Sequence, residues 1–213
     1  AAEVGLGSRV AAITSTFTQG NLTHVENPFS VALEGDGFFQ IRTQSGELQY
    51  TRDGSFEISP VANGNMLCTS DGNPVLDANG NQIILPSNRV ATDLVVNQDG
   101  TLAFPDGTGN PAVITDANGR PVKFGIYQFN NPAGLSKEGS NNYSVTVASG
   151  AAVAENGNAA VKQTKTHQYY TEASNVDVAN EMVNLIVAQR AYEMNSKAIQ
   201  ASDEMMQQAN ALR

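Results

Sequence analysis

Histidine, cysteine, paired carboxylates and glycine turns are the groups that could give this chain a chemistry. His24 and His167 are the only histidines and lie far apart in the sequence. Neither sits beside a serine elbow or a Cys/His signature, so a nucleophile with an adjacent base has no support. Cys68 is the single cysteine, which leaves no intrachain disulfide and says nothing of redox compartment. Asp77-Ala78-Asn79-Gly80-Asn81 and Asp116-Ala117-Asn118-Gly119 resemble the opening of a calcium loop, where carboxylates and amides alternate, but no bidentate Glu closes either one. Asn and Asp ahead of Gly are also what left-handed turn positions require. Gly5-Leu6-Gly7-Ser8 is too short for a phosphate loop and follows no strand. Asn21-Leu22-Thr23 and Asn142-Tyr143-Ser144 fit the glycosylation triplet, a pattern frequent by chance. No catalytic residue, metal or cofactor is therefore expected, and function must lie in shape and assembly.

Composition narrows the partners. The 213 residues carry a net charge of −9 with no basic cluster, which repels phosphate backbones, so neither nucleic acid nor an anionic membrane surface is expected as a partner. No run approaches the ~18 apolar residues of a membrane span, so no membrane insertion is expected. The opening Ala1-Ala2-Glu3-Val4-Gly5-Leu6 lacks a charged segment followed by an apolar one, so no cleavable signal peptide is expected.

The element that the rest is built to carry lies at residues 174–213. It contains neither Gly nor Pro and reads as one helix of about 57 Å, longer than a body of about 150 residues is wide. Ser174 followed by Asp177 has the form of a capping box. Large apolar residues recur every seven positions at Val178, Leu185, Tyr192, Ile199 and Met206, a coiled-coil seam. A second row holds Ala191, Ala198, Met205 and Leu212, while Ala188, Ser202 and Ala209 keep an edge small. The alternate seam positions soften after Met182 into Gln189, Ser196, Asp203 and Asn210. Such a seam makes a poor self-zipper and calls for different helices as partners. Val178, Met182, Leu185, Tyr192, Ile199 and Met206 are the candidate assembly interface.

Upstream, 19 glycines and repeated Asn-Gly and Asp-Gly pairs about every ten residues predict a turn-rich, antiparallel β body. Residues 1–27 read as an extended lead, 28–147 as the β body and 148–173 as a connector, an exposed strand or linker feeding the helix. Phe29 to Leu33 and Phe38 to Arg42, flanking Gly35-Asp36-Gly37, predict a hairpin. Further strands are expected at 48–52, 55–58, 66–69, 82–85, 93–96, 101–104, 122–129 and 142–147. Gly35, Gly37 and Gly54 are expected to need positive φ as turn glycines. The fold class is thus mainly β, followed by one long C-terminal α-helix.

Several stretches taken together resemble the axial proteins of the bacterial flagellum, the rod and hook family. They are Gly5-Leu6-Gly7-Ser8-Arg9, Phe17-Thr18-Gln19-Gly20-Asn21-Leu22, Leu33-Glu34-Gly35-Asp36-Gly37-Phe38-Phe39-Gln40-Ile41 and Tyr50-Thr51-Arg52-Asp53-Gly54-Ser55-Phe56. Phe129-Asn130-Asn131-Pro132-Ala133-Gly134-Leu135 and Gly139-Ser140-Asn141-Asn142-Tyr143 follow, and then the helix itself. Arg190-Ala191-Tyr192-Glu193-Met194-Asn195-Ser196-Lys197-Ala198-Ile199 is most similar to the distal rod branch. The resemblance implies a non-enzymatic subunit that polymerises helically into a hollow, torque-transmitting tube, with copies of itself and other rod and hook proteins as partners. It implies export through the flagellar type III apparatus, a place in the basal body of the cell envelope, and a C-terminal helix that pairs with an N-terminal one. That helix is not in this sequence, which on this resemblance is a shortened one. The alternative is an extracellular or phage-like β-rich binding module on a coiled-coil stalk. Its glycan groove would need clustered aromatics, whereas Tyr50, Tyr127, Tyr143, Tyr169, Tyr170 and Tyr192 are scattered.

Overall fold

Phe38 and Phe39 are consecutive, and consecutive side chains of an extended strand leave on opposite faces. Both rings need a core, so the strand that carries them must be covered on both sides. The computed structural model of the chain, which describes residues 14–106, 111–116, 118–158 and 161–211, has that arrangement.

The chain passes through β1 (Leu22–His24), β2 (Val31–Glu34), β3 (Phe38–Arg42), β4 (Leu48–Thr51), β5 (Glu57–Val61) and β6 (Gly64–Cys68). It continues through β7 (Ile84–Leu85), β8 (Val95–Val96), β9 (Leu102–Pro105), β10 (Pro111–Val113) and β11 (Ile126–Gln128). Then come β12 (Ser136–Gly139), β13 (Asn142–Ser144), β14 (Val153–Ala154), β15 (Lys165–Gln168) and β16 (Tyr170–Glu172), and last the helix α1 (Val178–Ala211). Two units result, one ending at Ser174 and one beginning at Asn175.

All strand pairs are antiparallel, as the turn spacing predicts. The largest sheet runs β12-β13-β4-β3-β11-β14. From β3, Phe39 and Ile41 enter the main core beside Phe29, Leu33, Phe56, Leu102 and Phe124. Phe38 enters a second core with Tyr50, Phe129 and Leu135, on which Phe17, Tyr127 and Tyr143 pack. Its rings meet mostly edge to face, Tyr50 and Phe129 at 5.0 Å, a favoured geometry for their quadrupoles. Buried Gln40 donates to the Tyr50 hydroxyl at 3.2 Å, so this interior polar group has its partner.

The topology corrects the expected strand pairing and adds detail at both ends of the β unit. β2 and β3 do not form a hairpin: β2 pairs with β15 in register, Val31 opposite Gln168 and Glu34 opposite Lys165, while β3 pairs with β4 and β11. Residues 148–173, expected as an exposed strand or linker, supply the strands β14, β15 and β16 and bury Glu155, Thr164 and Thr166. The lead contributes β1, paired with β16, and Phe17 to the second core. The expected strand at 122–129 is also shorter, running Ile126–Gln128, and just before it Gly125 passes so near the Asp77 carbonyl that a Cβ would lie 2.7 Å from its oxygen.

The three glycines expected at turns differ in backbone conformation. Gly35 has φ 137°, but Gly37 and Gly54 are outside the left-handed region. Their requirement is room. A Cβ on Gly54 would overlap the Val31 carbonyl oxygen, and one on Gly37 would stand 2.5 Å from Ile126 Cγ2 and 2.7 Å from Thr164 Oγ1.

Five of the left-handed glycines belong to one loop used repeatedly. At Thr43, Thr69, Asp77, Asn97 and Asp116 the residue's N–H donates to the carbonyl four residues on, and its own carbonyl accepts from a glycine three residues on. Those glycines, Gly46, Gly72, Gly80, Gly100 and Gly119, have φ between 75° and 89°. Asp77 Oδ1 accepts from the amides of Asn79 and Asn81 at 2.8 Å, so the calcium-like motif is employed in closing a turn.

The cap of α1 differs from the expected capping box. The helix begins at Val178, and Asp177 caps it: its Oδ1 accepts from Ala179 N at 3.0 Å and its carbonyl from Glu181 N.

Two stability outcomes follow from this packing. Gly54→Ala should cost about 2–3 kcal/mol through overlap with Val31, whereas Gly80→Ala, with open space at φ 82°, should cost about 1 kcal/mol. Thermal melts of the two variants check this, and equal shifts would contradict it. Asp177→Ala should weaken the first turn of α1 by about 1 kcal/mol and speed amide exchange at Ala179, while Asp177→Asn should have little effect.

Candidate assembly surface

α1 is 34 residues long, about 51 Å at the usual helical rise, and none of its residues is buried. The seam predicted from the sequence lies along it. Val178, Met182, Leu185, Tyr192, Ile199 and Met206 are between 59% and 76% exposed. At about 100° per residue they share one face, and the row drifts by roughly 20° per heptad because 3.6 does not divide seven.

Heptad counting read the opposite face only as the row through Ala198 and Met205, and missed that large residues make it a second stripe. Val183, Val187, Met194 and Met205 lie roughly 140–180° round the helix from Val178, and all four are exposed. Placing each residue at 100° intervals, rather than reading rows of seven, would have shown it. Arg190, Glu193, Lys197 and Glu204 form a charged ridge between the stripes on one side. Ala188, Asn195, Ser202 and Ala209 form a ridge of small residues on the other. A helix with apolar residues on opposite faces is one designed to be covered on more than one side.

The remaining sequence candidates have structural places in the β unit. Cys68 is buried, and burial pushes its thiol above the ordinary value. His167 Nε2 lies 2.7 Å from Glu34 Oε2 across the β2–β15 pair, and that hydrogen bond pulls the Glu34 carboxyl below its usual value. His24 stacks on Tyr169 and meets Tyr170 edge-on. The scattered tyrosines are partly gathered: Tyr50, Tyr127 and Tyr143 join the second core, so their aromatic surface is directed into the fold. His24 and His167 both meet the Tyr170 ring edge-on, at 5.4 Å and 6.2 Å.

Comparison with known proteins bears on both units. A family described as flagellar basal body rod FlgEFG protein C-terminal matches residues 167–212, and the flagellar hook protein FlgE/F/G D1 domain matches residues 32–104. The chain is 39% identical to the flagellar basal-body rod protein FlgG of Borreliella burgdorferi over 99% of this chain and 74% of that protein. It is 38% identical to FlgG of Agrobacterium fabrum, covering 96% of this chain and 72% of the relative. For FlgG of Bacillus subtilis the identity is 35%, over 97% and 73%. The D1-domain match runs from β2 to β9 and the C-terminal match from β15 through α1, so the likeness includes the two-faced helix as well as sheets that precede it. With this identity sustained along nearly its whole length, the chain belongs to the flagellar basal-body rod protein family.

Proposed function

We propose that this protein is a structural subunit of the flagellar rod, of the distal rod type, that polymerises helically into a hollow tube and transmits torque. The observation that carries the reading is α1, whose two opposed apolar stripes stand exposed along some nine turns. Water-exposed apolar surface of that extent marks an association surface. Covering the seam row alone would contribute on the order of 5–10 kcal/mol per subunit before ordering costs. The relatives named as rod proteins support the same role. Its partners on this reading are copies of itself and the neighbouring rod and hook proteins, met in the basal body after passage through the type III export apparatus. The β unit supplies a laterally packed shell whose cohesion is its own.

Both stripes are needed if α1 sits among neighbours in a tube wall. Leu185→Asp with Ile199→Asp, and separately Val187→Asp with Met194→Asp, should each abolish rod assembly while leaving the melting of the β unit unchanged. Complementation of a rod-deficient strain, with electron microscopy of isolated basal bodies, reads this out. Rods that still form with the first pair would overturn the seam as the assembly contact. Rods that survive only the second pair would reduce the interface to one face.

A further inference from the structure

β1 and β16 make a ribbon of two three-residue strands, paired Leu22 to Glu172, Thr23 to Thr171 and His24 to Tyr170. So short a ribbon is marginal by itself, and among the described residues its ladder is joined to no third strand. The residue just before it, Tyr169, has φ 65°, a left-handed conformation costly for a bulky side chain. At that residue the edge changes partner, β15 lying on β2 and β16 on β1. Tyr169 N donates to Ser30 O and its carbonyl accepts from Val25 N, both at 2.8 Å.

What fastens the ribbon to the sheets is concentrated in one side chain. Arg52, just past the end of β4, donates from Nε to Glu172 Oε2 at 3.0 Å, and its Nη2 lies 3.0 Å from the same oxygen. Nη1 donates to the carbonyls of Gly35 at 2.9 Å and Gly37 at 3.1 Å, and Nη2 to Gln19 Oε1 at 3.3 Å. The guanidinium stands 5.6 Å from the centre of the Phe38 ring, the second core's central aromatic. Glu172 uses its other oxygen to accept from Gly20 N at 2.8 Å, and Gly20 passes so close to Ala173 that a side chain there would strike its carbonyl. Both partners are nearly closed off from water, with side chains 13% and 12% exposed. A pair so placed is screened little by salt, and removing one member strands the other.

We propose that Arg52 and Glu172 form an ionic lock on the β1–β16 ribbon: closed, the ribbon is part of the β unit; broken, it opens as one piece about Tyr169 while both cores stay folded. Nothing of β1 or β16 belongs to the large buried clusters, so the cores lose no member when it opens. Every residue after Glu172, α1 included, is tethered through this ribbon, so the lock sets how firmly a load on that end reaches the sheets. That consequence rests on the rod-subunit reading; the lock itself does not.

Amide hydrogen exchange on the purified full chain tests the lock without any polymer. In Arg52→Gln, the ribbon amides, with Val25 and Ala173, should exchange at least tenfold faster, while those of β3, β4 and β6 keep their rates. Glu172→Gln should act on the same amides, and the double variant should be no faster than Arg52→Gln, since both changes break one pair. Arg52→Lys should restore protection only in part, because a single ammonium cannot hold Glu172 and two glycine carbonyls in a fixed fork. Unchanged ribbon exchange in the folded single variants would overturn the proposal. So would equal acceleration throughout β3, β4 and β6, which would make Arg52 a support of the core. Should Arg52→Gln fail to fold, Glu172→Gln decides by the same two criteria.

Discussion

The burial of β3 on both faces is the constraint from which the β unit follows. Phe38 and Phe39 cannot share a core, so the sheet that contains them must separate two. Each core then recruits what it needs. The main one takes apolar residues from strands on either side of β3 in the sequence, and the second takes aromatics from β4, β11 and β13 together with Phe17 from the lead. The second core also explains where Arg52 can stand. Its guanidinium lies beside the Phe38 ring at the end of the next strand, where two glycine carbonyls and a carboxylate are within reach.

The long, regular features were legible in the sequence, and those that depend on distant partners were not. Asn-Gly and Asp-Gly pairs placed most turns correctly because their chemistry is local. A side-chain acceptor at the first position and a glycine at φ near 80° are both visible as residue types. The β2–β3 hairpin was misread because Gly35-Asp36-Gly37 looks like a local turn, while the true partner of β2 lies in a polar stretch more than a hundred residues away. That stretch reads as a linker since Glu155, Thr164 and Thr166 are polar, yet each is buried with its hydrogen bonds met. Glu155 accepts from Thr164 N at 2.7 Å, from Thr164 Oγ1 at 2.6 Å and from Gln128 Nε2 at 2.8 Å, and Thr166 Oγ1 donates to Asn97 O at 2.6 Å. Polarity costs burial only when partners are lacking, and partners are not written in the local sequence.

The glycines carry the same lesson at atomic scale. Gly35 and Gly54 both follow an acidic residue, Glu34 and Asp53, in a turn-like sequence, but one has φ 137° and the other has no room for a Cβ against Val31. A sequence shows that glycine is tolerated and not which of the two reasons applies. In α1 the seven-residue row was legible, and the Asp177 cap was displaced only three positions from Ser174. Val183, Val187 and Met194 of the opposite stripe escaped because a heptad template assigns those positions to the outside of a two-helix coil.

That opposite stripe bears on what kind of polymer the helix can serve. A row drifting roughly 20° per heptad turns through about 80° between Val178 and Met206, so one straight partner cannot follow it unless the pair supercoils. Gln189, Ser196 and Asp203 lie between the large seam residues and would weaken such a coil at its centre. On the proposed reading, a packed cylinder of helices would meet both difficulties at once, the drifting row passing from one neighbour to the next while Val183, Val187, Met194 and Met205 face another. The ridge at Ala188, Ser202 and Ala209 allows close approach on one side, and the ridge of Arg190, Glu193, Lys197 and Glu204 offers ion pairing on the other. The β unit has no such incompleteness: among the described residues no buried side-chain nitrogen or oxygen lacks a partner. On the proposed reading, folding and assembly are divided between the two units, with the sheets held by their own cores and the helix completed by its neighbours.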